Sequence, residues 1–187
     1  MTGLLIGLAI IALVIFSIYN GLISKRVAAE NAWSQIDVQL KRRHDLIPNL
    51  VETVKGYAKH EQETLERVIQ ARNSAITAGK NQSLAEQGAA ENVLSGALKQ
   101  IFALAESYPD LKANLSFQQL QEEIASTENR ISFARQHYND SVAVYNIAIQ
   151  QIPANMIANF AGFKKREFFE LDEAQKLAAQ EPPQISF

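Results

Sequence analysis

The 187-residue chain has no cysteine, which excludes disulfides and every thiolate metal site without choosing a compartment. A marked excess of either charge is also missing, since 18 basic and 20 acidic side chains leave a net −2. Residues 25–80 carry ten basic and seven acidic side chains, leaving eight and thirteen for 81–187. No basic stripe interleaved with aromatics occurs, so nucleic acid is not an expected partner.

Catalytic patterns are equally scarce. His60-Glu61 begins like a zinc-protease HExxH, but Thr64 stands where the second histidine would be. His44, His60 and His137 have no spacing that gathers them locally, and Gly79-Lys80 lacks the upstream glycine of a phosphate loop. GxSxG and a cysteine nucleophile are both absent. Glu122 and Glu123 read as solvated helical carboxylates. No enzyme activity, cofactor or metal is expected.

What the chain has in abundance is apolar helix. Gly3 to Ile23 runs for 21 residues without a charged side chain, and at 1.5 Å per residue it covers roughly 30 Å, the thickness of a bilayer's hydrocarbon core. Nothing basic precedes it except the chain's own amine, and it leads directly into Ser24, Lys25 and Arg26. A retained anchor over residues 1–24 is therefore expected rather than a cleaved signal peptide. Lys25, Arg26, Lys41, Arg42 and Arg43 all follow the span. The positive-inside rule then places the domain of residues 25–187 in the cytoplasm, with a periplasmic or extracellular domain as the alternative. Gly3 and Gly7 form a GxxxG pair that could pack helices or simply face lipid.

Beyond the anchor the periodicity is helical. Phe117, Leu120, Ile124, Thr127, Ile131, Ala134, Tyr138, Val142, Tyr145, Ile149 and Ile152 recur by threes and fours, with Thr127 the one polar member. Ser116 and Gln119 offer a capping box at its start, and Pro153 is expected to end it. An earlier stripe runs Ala29, Trp33, Ile36, Leu40, Ile47, Leu50, Val54, Tyr57, Leu65, Val68 and Ala75, interrupted by Arg43 and Glu61. Pro48 predicts a kink or short break near His44 to Ile47, with Asp45 as the cap of a restarted helix. A third helix is expected over Ser83 to Ser107, a short segment over Ala154 to Phe160, and a last helix near Leu171 to Ala179, with an extended tail at about 181–187. The fold class that follows is all-α: a transmembrane helix continuing into a long-helix antiparallel up-down bundle.

Two strings hold the candidate structural or interaction motif. One contains Trp33, Asp37, Arg42, Arg43, Asp45, Pro48 and Asn49; the other repeats a Tyr-Asn pair at Tyr138-Asn139 and Tyr145-Asn146. Seven residues are two helical turns, so both tyrosines share a face and can be buried if each hydroxyl finds a partner. The plain reading makes the aromatics core and makes Asp37, Arg42 and Arg43 polar ties near the membrane end of the bundle. The functional reading makes the string a docking patch.

These same stretches, Trp33 through Glu61 and Arg130 through Phe169 with Pro153, Gly162-Phe163 and Phe168-Phe169, resemble the LemA family. The resemblance extends over almost the whole chain. It implies a bacterial plasma-membrane protein with one N-terminal span and a long antiparallel helical domain, but no catalytic mechanism. It also implies a scaffold, discussed alongside HtpX-type membrane proteases and membrane-remodelling compartments. The expected partners are the bilayer through residues 3–23, further copies of the chain, and a second membrane protein.

Overall fold

The computed structural model describes residues 1–81 and 83–169, and no strand occurs among them. Six helices follow in order: α1 (Thr2–Tyr57), α2 (Gln62–Asn81), α3 (Leu84–Ala105), α4 (Pro109–Lys112), α5 (Leu115–Ala148) and α6 (Ala154–Phe160). They fall into two compact units. One combines Met1–Val38 with Ser132–Phe168, and the other combines Gln39–Ile131 with Phe169.

In the first unit, the opening stretch of α1 is the one segment of the described chain long and apolar enough to cross a membrane, and none of it is buried. Leu22 begins the small core of this unit, with Tyr145, Ala148, Ile149 and Ala158 around it and Ile18, Ala154 and Phe163 packed against them.

The second unit has the larger core. Ile47, Leu50 and Val54 of α1 meet Leu65 and Val68 of α2, Leu94, Leu98 and Ile101 of α3, and Phe117 and Ile124 of α5. The expected stripes are the buried faces here, except that Tyr57 at the end of α1 is exposed. Thr127 joins them at 1 % exposure because its hydroxyl donates back to the Glu123 carbonyl at 2.7 Å. α2 and α3 run back along each other. Ser83 opens α3 with a full capping box: the Glu86 amide donates to Ser83 Oγ and the Glu86 carboxylate accepts from the Ser83 amide. The Ser83 amide and the Ser83 hydroxyl both donate to the Glu86 carboxylate and hold its pKa below the ordinary value.

Several expected boundaries move. α1 is continuous through Pro48, so there is no break near His44 to Ile47 and Asp45 caps nothing. Proline cannot donate to the His44 carbonyl four residues back. Arg72 Nε of α2 donates to that carbonyl instead, at 2.7 Å, so the helix persists without an orphaned acceptor. The chain turns at residues 58–61, where sequence periodicity had run on, and Glu61 accepts there from the Tyr108 hydroxyl at 3.1 Å. Ser116 is not the cap of α5. It lies inside the helix, and Asn114 Oδ1 accepts from the Phe117 amide at 3.0 Å. α5 stops at Ala148 rather than at Pro153, which leaves Ile152 84 % exposed instead of on the buried stripe. The last helix near Leu171 to Ala179 and the tail at 181–187 lie outside the described residues.

Pro48 and Arg72 should therefore be coupled. Arg72→Met is expected to cost about 1–3 kcal/mol, the penalty for leaving a partly buried acceptor unpaired. Pro48→Ala in the same chain should recover part of that loss by restoring an amide at position 48. Urea unfolding of the four proteins of this cycle in detergent checks it, and strictly additive effects would disprove the exchange.

Candidate functional site

Arg43 interrupts an apolar stripe, and its helix position sends it inward with Leu40 and Ile47. It is 1 % exposed. A buried guanidinium is stable only if its donors find acceptors and its charge finds counter-charges. Within the second unit the charge is answered by two carboxylates and both Nη atoms find acceptors, while Nε has no hydrogen-bond partner among the described residues. Nη1 donates to Ser95 Oγ at 2.8 Å and to the Glu128 carboxylate, while Nη2 donates to the Glu91 carboxylate. Ser95 Oγ donates its own hydrogen bond to Glu128 Oε1 at 2.9 Å, and His44 Nε2 lies 3.0 Å from Glu91 Oε1. One side chain of α1 thereby ties α1, α3 and α5.

The electrostatics favour a tie over a reaction centre. Burial pushes the Glu91 carboxyl up, but the His44 hydrogen bond and the charge of Arg43 outweigh it, so its pKa falls below the ordinary value. A carboxylate held ionised in this way is a weak base. Arg43 supplies the cation that the two carboxylates face. No group of three His, Asp or Glu suited to a metal ion occurs among the described residues.

Apart from Trp33, the other candidate residues of this string face outward. Arg42 is half-exposed and lies 3.5 Å from Glu123, a pairing worth about 0–1 kcal/mol at a surface. Asp45, Pro48 and Asn49 are exposed on α1, and so is Asp37, in the first unit. The two adjacent arginines are thus separated: Arg43 is core and Arg42 is surface. Sequence reasoning missed Glu91, Ser95 and Glu128, because nothing local points from Arg43 to residues 48 and 85 positions away.

The Tyr-Asn pairs belong to the first unit, where they hold an irregular segment of backbone against α5. Tyr145 donates to the Lys164 carbonyl at 2.9 Å and Tyr138 to the Glu167 carbonyl at 3.0 Å. Asn146 satisfies both sides of one peptide residue. Its Nδ2 donates to the Arg166 carbonyl and its Oδ1 accepts from the Arg166 amide, each at 2.9 Å. Trp33 packs edge-on to Tyr138 with ring centroids 5.2 Å apart, and Asn139 is half-buried beside it in sequence. Arg166 also pairs with Glu30 of α1. Burial pushes both phenol pKa values up, so the tyrosines stay protonated donors. Gly162, at φ 73°, makes the turn that sends the chain back along α5.

Removing one member of the Arg43 tie is expected to cost more than removing the pair. Arg43→Met should destabilise by about 3–5 kcal/mol by leaving a buried carboxylate uncompensated, and adding Glu91→Leu should restore much of it. Glu91 also carries a pH signature. Its folded pKa is depressed, so its contribution is full above the unfolded value of about 4.3 and is lost as pH falls through the lower folded value. Glu91→Gln should flatten the acid limb of stability against pH, and an unchanged limb would refute the assignment.

Residues 32–187 match the LemA family. The magnetosome protein MamQ of Magnetospirillum gryphiswaldense is 26% identical over 194 residues, covering 89% of this chain and 71% of that protein. Magnetosome protein MamQ 2 of Paramagnetospirillum magneticum is 25% identical over 175 residues, covering 81% of this chain but only 64% of its own length. Protein LemA of Metamycoplasma hominis is 28% identical over 160 residues, covering 84% of this chain and 71% of that protein. With an apolar N-terminal helix, helices over most of its described residues and a family match over most of its length, this chain is a membrane-associated helical protein that belongs to the LemA family.

Proposed function

We propose that this protein is a non-enzymatic helical scaffold, anchored in a bacterial plasma membrane and self-associating there. The observation that carries the reading is a second apolar stripe on α5, opposite the buried one. Phe133, Val144 and Ile147 are each more than half exposed, and at 100° per residue they fall within about 60° of one another along roughly 21 Å of helix. His137 and Asp140 lie between them and are exposed too. An apolar row broken by polar side chains suits reversible association of identical chains better than a permanent core. The buried Arg43 cluster supports the same reading, because its charged groups are committed to one another. The magnetosome naming of the MamQ relatives fits a protein that works at a membrane surface.

Lys25, Arg26, Lys41 and Arg42 follow the span closely, which supports a cytoplasmic domain. The chain has no native thiol, so Glu63→Cys gives a single reporter at a side chain that is 88% exposed. A membrane-impermeant maleimide should leave it unmodified in intact cells and react after lysis. Labelling in intact cells would reverse the orientation.

An adaptor that binds a second membrane protein, such as an HtpX-type protease, is the other reading. It is favoured by the exposed Arg42, Asp45 and Asn49 on α1. Mass measurement in native lipid discs separates the two. A scaffold should give particles of several identical chains, and Phe133→Glu with Val144→Glu should reduce them to single chains of unchanged helicity. A wild-type particle of one chain at all concentrations would sink the scaffold. A second protein lost on Asp45→Ala with Asn49→Ala would establish the adaptor.

A further inference from the structure

The chain contains a second long uncharged run that the anchor does not explain: no charged side chain occurs between Asp140 and Lys164. This run covers the end of α5, all of α6 and the turn at Gly162. It docks on α1 at one level. Ala154, Ala158 and Phe163 pack with Ile18 and Leu22. The Phe163 ring meets Tyr19 edge-on at 5.8 Å between centroids, and the Arg26 guanidinium sits 5.4 Å from the Phe163 ring centre.

That level is where the apolar span ends, at Ile23, and where Lys25 and Arg26 begin. From Ile18 to Ile23 the helix rises about 7.5 Å. A segment packed beside Ile18 to Leu22 therefore sits at the depth of roughly 5–10 Å at which amphipathic helices settle at the headgroup boundary. The side of α6 facing α1 is small, with Ala158 at 1% exposure, while Met156 and Phe160, one turn apart, are 71% and 96% exposed. Ile152 just before the helix is exposed as well. Lys164 and Lys165, both exposed, follow immediately.

We propose that α6 and its flanking turns form a second membrane contact, an interfacial element that inserts Ile152, Met156 and Phe160 among the lipids beside the end of the span. Lys25, Lys164 and Lys165 then lie at headgroup level, where anionic phospholipid attracts them. The occupant of this apolar face is lipid because the face continues directly from the span that lipid surrounds. The inference rests on the reading of residues 3–23 as a bilayer span.

Single cysteines can be placed without background in a thiol-free chain, so the test uses the full protein in discs of phosphatidylethanolamine and phosphatidylglycerol. Nitroxide labels at Met156→Cys and Phe160→Cys are compared with Ile11→Cys in the span and Glu63→Cys in water, through collision with oxygen and with a water-soluble nickel complex. The expected result is preference for oxygen at 156 and 160, of the same sign as at position 11 and smaller. Nickel accessibility equal to that at position 63, with position 11 still in lipid, overturns the interfacial element and leaves the span intact. A water-like signal at position 11 overturns the span itself and this inference with it. Dipolar broadening at 160 that disappears on dilution with unlabelled chain would mean a second copy covers the face, which also overturns it.

Discussion

A guanidinium set in the middle of an apolar stripe must be answered by acceptors at fixed places, and that requirement organises the second unit. Arg43 lies between Leu40 and Ile47, so it cannot reach water. Its planar fork needs Glu91 and Ser95 from α3 and Glu128 from α5 at definite heights along their helices. Apolar contacts tolerate a helix sliding by a turn far more readily than a bidentate charged fork does. The cluster is weak evidence for extra stability, because taking charges out of water is expensive. Its effect is registry, with α1, α3 and α5 meeting in one alignment.

Different physics holds the first unit, although the economy is similar. The stretch after Gly162 has no strand or helix of its own to satisfy its peptide groups. Two phenols and one carboxamide, all on one face of α5, take over that task. Asn146 is the side chain best suited to it, since a carboxamide presents a donor and an acceptor with the spacing of a peptide. A repeat of Tyr-Asn seven residues apart thus supplies both two buried aromatics and a ladder against backbone.

The helical stripes were legible because burial of one face imposes a period that survives in sequence, and the long α5 face from Phe117 to Ile149 follows it. Even Thr127 fits, once its hydroxyl folds back on Glu123. Boundaries were less legible where the deciding bond is distant. Nothing at 58–61 except tertiary contact distinguishes the turn there from continued helix, and Asn114, not the more suggestive Ser116, caps α5. For the candidate site, Arg43 announced itself by breaking the stripe, but its partners lay too far along the chain to be read. Arg42 and Arg43 look alike as a pair; one residue of helical rotation puts the first on the surface and the second in the core.

The Arg72 bond to the His44 carbonyl has a further consequence for how the family varies. Position 48 as proline makes an arginine at position 72 useful, since it supplies a donor that the main chain lacks. With any other residue at 48 the main chain supplies that donor itself, and position 72 is released. The two positions lie 24 residues apart on different helices, yet they bear on one carbonyl, that of His44. Substitutions at one are therefore expected to track the other across related chains, and a change that arrives at 48 first opens the way for a change at 72.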